Sequence, residues 1–160
     1  MKRLLFTAFT ICMFTNNLLA QEDNYMPIDY TVIAEGNDSP FQNLQIVCFN
    51  KYFNREQLPK AFKDKYDLAN KQLFKKKMLV QLFYSDKDKI GLDKFEIREV
   101  KESSSDIIID YHLVNSDSTN DSSIQSPFIV IQIPKNTKKQ IRFFANGKEL
   151  GKGQDLYIDN

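Results

Sequence analysis

The feature that most restricts this chain is a procession of short β-forming runs, each closed by turn chemistry. Residues 30–35 (Tyr-Thr-Val-Ile-Ala-Glu) are rich in β-formers and stop at Gly36-Asn37-Asp38-Ser39-Pro40. Residues 44–49 make a second run. Residues 78–84, Met-Leu-Val-Gln-Leu-Phe-Tyr, form a run continuous and apolar enough for a central strand. Residues 95–100 alternate cleanly, so one of their faces is wet. Further runs follow at 107–114, 128–133 (ended by Pro134) and 139–144, and Asn146-Gly147 is a strong hairpin signal, turning the chain toward a short strand near Leu150. Residues 156–158 offer a last edge.

Only one stretch changes period. Leu58, Ala61, Phe62, Tyr66, Ala69 and Leu73 recur at helical spacing, with lysines between them. Asn54 followed by Gln57 resembles a capping box, but Pro59 falls in its second turn. The helix therefore starts at Pro59 or has a distorted first turn. Seven to eight strands and one covering helix make the fold mainly β (α+β): a bent antiparallel sheet, small barrel or sandwich. No repeat or linker divides it, so residues 30–160 read as a single domain.

The first twenty residues stand apart. Lys2 and Arg3 precede an apolar stretch over residues 4–14, Asn16 and Asn17 end it, and Ala20 offers a small residue for cleavage. This is the pattern of a secretory signal peptide, too short to span a bilayer. Cys12 lacks the small residue before it that a lipoprotein signal needs. Residues 21–29 read as a flexible leader. Cleavage near Ala20 leaves 20 basic and 21 acidic side chains and one cysteine, Cys48. The expected location is secreted, periplasmic or cell-envelope. No internal disulfide is available, so the core must supply the stability.

Composition narrows the chemistry. A near-neutral charge argues against nucleic acid as a partner. The basic cluster Lys75-Lys76-Lys77 reads as a solvated patch. His112 is the only imidazole, so any triad must use it, and it sits mid-strand beside Tyr111. Cys48 in its apolar run reads as a buried hydrophobe, and no local motif joins it to His112. Residues 85–91 begin like a calcium loop, with Asp86, Asp88 and Gly91, yet Ile90 and Ile97 stand where ligands are required. Asn37-Asp38-Ser39 and Asn120-Asp121-Ser122 match the glycosylation sequon. No catalytic set, metal site or cofactor loop emerges.

Four stretches carry a resemblance: the opening strand with its turn at Gly36, Asn37 and Ser39; Phe74-Lys75-Lys76-Lys77-Met78 with the strand that follows; residues 95–100; and Ser126-Pro127 running through Ile133-Pro134-Lys135. Together they resemble the domain at the C-terminus of PrcB, a subunit of a bacterial surface protease complex. They span residues 30 to about 144. Family members carry T-G-G-Y before the strand at 95; here Ile90, Gly91, Leu92 and Asp93 occupy that place, keeping one glycine. The resemblance implies a secreted, non-catalytic accessory protein that binds and stabilises a partner protein such as a protease. Its partner-binding turns would be Gly36, Asn37 and Ser39, and Ile90, Gly91, Leu92 and Asp93. Exposed strand edges suit such recognition by strand addition. Two other readings stand beside it: a protease inhibitor presenting the loops at 85–94 and 115–126, and an envelope enzyme using Cys48 or His112.

Overall fold

In a computed structural model, residues 24–85, 92–115 and 125–150 are described, together with the backbone of residues 156–159. The strands are β1 (Met26–Pro27), β2 (Thr31–Gly36), β3 (Asn43–Cys48), β4 (Lys77–Tyr84), β5 (Lys94–Glu102), β6 (Asp106–Val114), β7 (Phe128–Pro134), β8 (Gln140–Ala145), β9 (Lys148–Glu149) and β10 (Leu156–Asp159). Two short helices, α1 (Tyr52–Glu56) and α2 (Lys60–Lys65), and a 3₁₀ turn at Lys71–Phe74 lie between β3 and β4. The strands form two five-stranded sheets rather than a closed barrel: a front sheet in the order β1-β5-β6-β8-β9 and a central sheet in the order β10-β3-β4-β7-β2.

The central sheet is covered on both faces, which explains why the buried positions of β4 are apolar apart from Gln81. Its Met78, Val80 and Leu82 enter a core shared with Val100, Ile107, Ile109, Ile141 and Phe143 of the front sheet. The alternate residues Leu79 and Phe83 face a second cluster under the helices, with Phe53, Leu58, Phe62 and Leu68. Strand alternation sends each successive side chain to the opposite face, so a strand with two dry faces is mostly apolar, and its buried polar side chain, Gln81, has to find a partner in Asn54. Aromatic rings knit the helical layer to the sheet: Phe62 meets Phe128 edge-on at 4.8 Å between ring centroids, and Tyr66 meets Phe128 at 4.9 Å.

Two pairings are parallel, β6 with β8 and β3 with β10, against the expectation of antiparallel neighbours throughout. The cause for β6 and β8 is topological. The chain leaves the front sheet after β6, builds β7 in the central sheet, and returns as β8 in the same direction. The Asn146-Gly147 turn joins β8 to β9 as expected; both residues have positive φ, 52° and 77°, as a type I′ turn requires.

The single helix divides into two. Pro59, extended at φ −54° and ψ 138°, is the residue before α2, and its missing N–H ends the first helical segment. Asn54 is not a cap but a buried residue inside α1; Asn50 instead accepts a hydrogen bond from the Tyr52 backbone N–H at 2.7 Å. The leader is also tied down from Tyr25 onward. Met26 and Pro27 pair with Glu102 and Lys101 of β5, the Ile28 N–H donates to the Val100 carbonyl at 2.9 Å, and Ile28 packs against the inter-sheet core.

Candidate functional site

The end of β2 and the start of β5 meet along one open side of the sandwich. Glu35, Gly36 and Asn37 face Asp93, Lys94 and Phe95 across a cleft of about 240 Å³, with Phe128 also lining it. Three residues singled out in the sequence, Gly36, Asn37 and Asp93, are thus brought together. They lie far apart in the chain and are joined because β2 borders β7 at the edge of the central sheet while β5 lies near the matching edge of the front sheet.

Gly36 is there for close approach. A Cβ at this position would sit 2.9 Å from a ring carbon of Phe128, 3.1 Å from the Tyr66 hydroxyl and 3.3 Å from an Asp38 carboxylate oxygen. The turn after it is fixed by Asp38, which accepts hydrogen bonds from Tyr66 Oη and Lys65 Nζ, both at 2.7 Å. Partial burial pushes the Asp38 carboxyl up, but the hydrogen bonds from Lys65 and Tyr66 and the Lys65 charge outweigh it and hold the group below its ordinary value. Ser39 serves the turn rather than the cleft. Its hydroxyl donates to the Phe41 carbonyl at 2.8 Å, and its N–H donates to the Ser126 carbonyl at 2.8 Å.

Leu92 lines a different cleft, of about 220 Å³, at the same end of the sandwich beside Tyr84, Phe95 and Tyr111. Burial pushes the Tyr111 phenol well above its ordinary value, outweighing its hydrogen bond with Gln45. Ile90 and Gly91 lie outside the described residues, as do the calcium-like positions and most of both proposed inhibitory loops. Lys94 entered only as the last residue of a candidate inhibitory loop, and Glu35, Phe95 and Phe128 were not legible as site residues. Each reads as an ordinary strand position, and only the pairing of two distant edges makes them neighbours.

Beyond the cleft runs unpaired strand. β2 ends the central sheet, so one side of its backbone has no partner among the described residues. Val32 is 44% exposed and Tyr30 40%, and Met26 on the adjoining β1 is 60% exposed. Among the described residues this edge of β5 is covered only at its far end, by β1 and Ile28. A register shift between Val32 and Ala34 interrupts the ladder of β2, and another between Ile97 and Glu99 interrupts β5; edge bulges of this kind discourage indiscriminate strand pairing. The β5 edge is also charged: Lys94 lies 3.9 Å from Glu96, and Lys101 pairs with Glu99 at 2.7 Å.

Cys48 and His112 do not meet. Cys48 is fully buried beneath the helices, where the Gln81 amide nitrogen lies 3.1 Å from its sulfur and 2.6 Å from Asn54 Oδ1. His112 follows the inward Tyr111 and therefore faces out from the front sheet, with Arg98 Nη1 at 3.3 Å from its Nε2. Two sheets separate the thiol from the imidazole, so the dyad has no geometry. Among the described residues no helix is long and apolar enough to cross a membrane. Compared with known family models, curated proteins and solved structures, the chain matches none of them.

Proposed function

We propose that this chain is a secreted, non-catalytic accessory protein that binds and stabilises a partner protein such as a protease. The observation that supports this reading is the open side of the sandwich. There the edge of β2, unpaired among the described residues, follows exposed Tyr30, carries exposed Val32 and runs into a cleft lined by Glu35, Asn37 and Asp93. Unpaired main chain with apolar side chains along it is a template for an added strand, which gives main-chain hydrogen bonds and side-chain specificity together. The reading also draws on the leader-like first twenty residues and on the resemblance to PrcB C-terminal domains.

The test is affinity capture from the secreted and envelope fraction of the producing cell. Recovery of one defined protein, with unchanged or prolonged activity in the complex, is the expected result. A partner protease whose activity falls on binding would assign inhibition instead. No recovered partner, or an activity of the isolated protein that is lost in a folded His112→Ala variant, would overturn the reading.

A further inference from the structure

We infer that the end of the sandwich opposite the two clefts is a docking surface for an anionic phospholipid bilayer. This attachment is independent of the partner-binding reading, which uses the other end of the fold. Three observations carry it.

The first is a convergence of lysines that the sequence scatters over three connections. The entry to β4 supplies Lys75, Lys76 and Lys77, the connection from β7 to β8 supplies Lys135 and Lys138, and the chain leaving β3 supplies Lys51. Strand pairing brings them to one end. Lys77 lies opposite Pro134, the Lys135 N–H donates to the Lys76 carbonyl at 3.2 Å, and Lys135 Nζ donates to the Phe49 carbonyl, close before Lys51, at 2.6 Å. The run Lys75-Lys76-Lys77, a solvated patch when read alone, is thus part of a larger basic surface.

The second is that this charge is not neutralised within the fold. Lys51, Lys75, Lys76, Lys135 and Lys138 are exposed and Lys77 is half-buried, and none of them pairs with a carboxylate among the described residues. The described acids at this end are fewer. Glu102 is taken up by Lys139 at 2.7 Å, Asp106 is buried and accepts from Tyr25 and Ser105, and Asp159 closes β10 in register with Cys48. The chain as a whole is near-neutral, so the excess is local. It turns this end toward a negative surface at short range rather than drawing the molecule in from afar.

The third is apolar. Of the four exposed large hydrophobic side chains among the described residues, two, Met26 and Tyr52, flank this surface. Met26 pairs opposite Glu102 at the end of β5, and Tyr52 follows Lys51. A broad array of lysines with apolar side chains at its margins matches a lipid interface, where ammonium groups meet phosphate headgroups and a thioether or phenol enters the boundary region. A single phosphate fits less well. The neighbouring strands β3, β4 and β7 span about 10 Å and the front sheet lies about 10 Å behind them, so lysines on their connections are spread across several headgroups instead of converging on one anion. A nucleic-acid backbone would use the lysines but leave Met26 and Tyr52 in water.

The test is cosedimentation with vesicles of phosphatidylcholine alone and of phosphatidylcholine containing about one-third phosphatidylglycerol. Wild type and variants are recovered from the producing cell, so all share one N-terminus. The wild type is expected to bind the anionic vesicles at least about tenfold more tightly than the neutral ones, and raising the salt from about 0.1 M to about 0.5 M should release most of it. Replacing two exposed lysines together, Lys75→Gln with Lys138→Gln, should weaken anionic binding about thirtyfold. Lys60→Gln with Lys148→Gln, the same change of charge elsewhere on the exposed surface, should leave it within about twofold. Tyr52→Ser should weaken binding about fivefold at either salt concentration. A spin-labelled lipid should broaden the amide signals of residues 75–77 and 135–138 ahead of those of residues 31–36. Equal binding to the two vesicle types, equal loss in the two double variants, or broadening centred elsewhere would overturn the inference. So would retention on immobilised inorganic phosphate or duplex DNA as tight as on the anionic vesicles, which would assign a soluble anion in place of the bilayer.

Discussion

Tyr66 donates its phenol to Asp38 at 2.7 Å, and this one bond ties the turn after β2 to the residue following α2. Lys65 reaches the other carboxylate oxygen, so two consecutive residues of the helical layer hold the wall of the cleft in place. Because Asp38 sits below its ordinary carboxyl value of 3.8, the folded state binds fewer protons than the unfolded state near that pH. Its stabilisation is therefore present above pH 3.8 and is lost as pH falls through the lower folded value. Lys65 works at the other end: its hydrogen bond to Asp38 raises it above 10.5, so that contribution is present below pH 10.5 and lost above it. Urea unfolding of wild type and Asp38→Asn should show a constant gap from pH 5 to 9 that narrows below pH 3.8. Tyr66→Phe should cost about 1 kcal/mol at neutral pH.

Gly36→Ala should destabilise the protein by about 1–3 kcal/mol, as overpacking of a filled site does. The obstacle is the ring of Phe128, itself almost fully buried and in contact distance of Phe62, Tyr66 and Phe83, so it has no open direction in which to yield. Chemical denaturation measures the cost. A variant as stable as the wild type would show that the turn and α2 move apart easily, and that the cleft is softer than its contacts imply.

Cys48 should be inert in the folded protein and titrate as one thiol once unfolded. It has no exposed surface, and the residues around it are structural: Asn54 donates to the Leu68 carbonyl at 2.8 Å and accepts from Gln81, fastening α1 both to the chain beyond α2 and to the central sheet. Asn54→Ala would leave the Leu68 carbonyl and the Gln81 amide without this partner in a dry interior, at about 1–3 kcal/mol. The Gln81 carbonyl oxygen already lacks a partner there, so the network has little slack. Ellman titration with and without denaturant tests the first expectation, and the unfolding midpoint of Asn54→Ala tests the second.

What the sequence disclosed, and what it hid, follows from the range of the forces involved. β4 was legible because burial on both faces leaves a run apolar but for Gln81, and the β8–β9 turn because Asn146 and Gly147 satisfy a local demand for positive φ. The helical stretch was legible by period, but Asn54 was misread as a cap. A polar residue near a helix start looks the same whether it faces water or a buried Gln81 from β4. The parallel pairing of Ile107 with Ile141 has no local signature, since it depends on where β7 lies. The cleft was half visible: the turn at Gly36 and Asn37 and the position of Asp93 stood out, whereas Glu35 and Phe95 became site residues only when two sheet edges were brought side by side.

β1 illustrates the same limit and gives a last prediction. Two residues of strand have too little pattern to register in a polar leader, yet they cap the edge of β5. Met26 and Pro27 pair with Glu102 and Lys101, Ile28 enters the core, and Tyr25 donates to Asp106 at 3.4 Å while Lys101 lies over its ring. Ile28→Ala removes apolar surface that is only partly buried, so about 1–2 kcal/mol is the expected cost. A chain starting at residue 29 loses this and also the main-chain bonds, and it uncovers the last residues of β5. The charged side chains along that strand, Lys101 and Glu102 among them, should weaken self-pairing, but the backbone of the newly bared Val100–Glu102 segment continues past the bulge without the main-chain partners that β1 gave it. The shortened protein should therefore unfold at lower denaturant and show concentration-dependent association by sedimentation. If it remains as stable and as monomeric as the longer form, β1 is a passive strap and the front sheet closes its edge at β5 unaided.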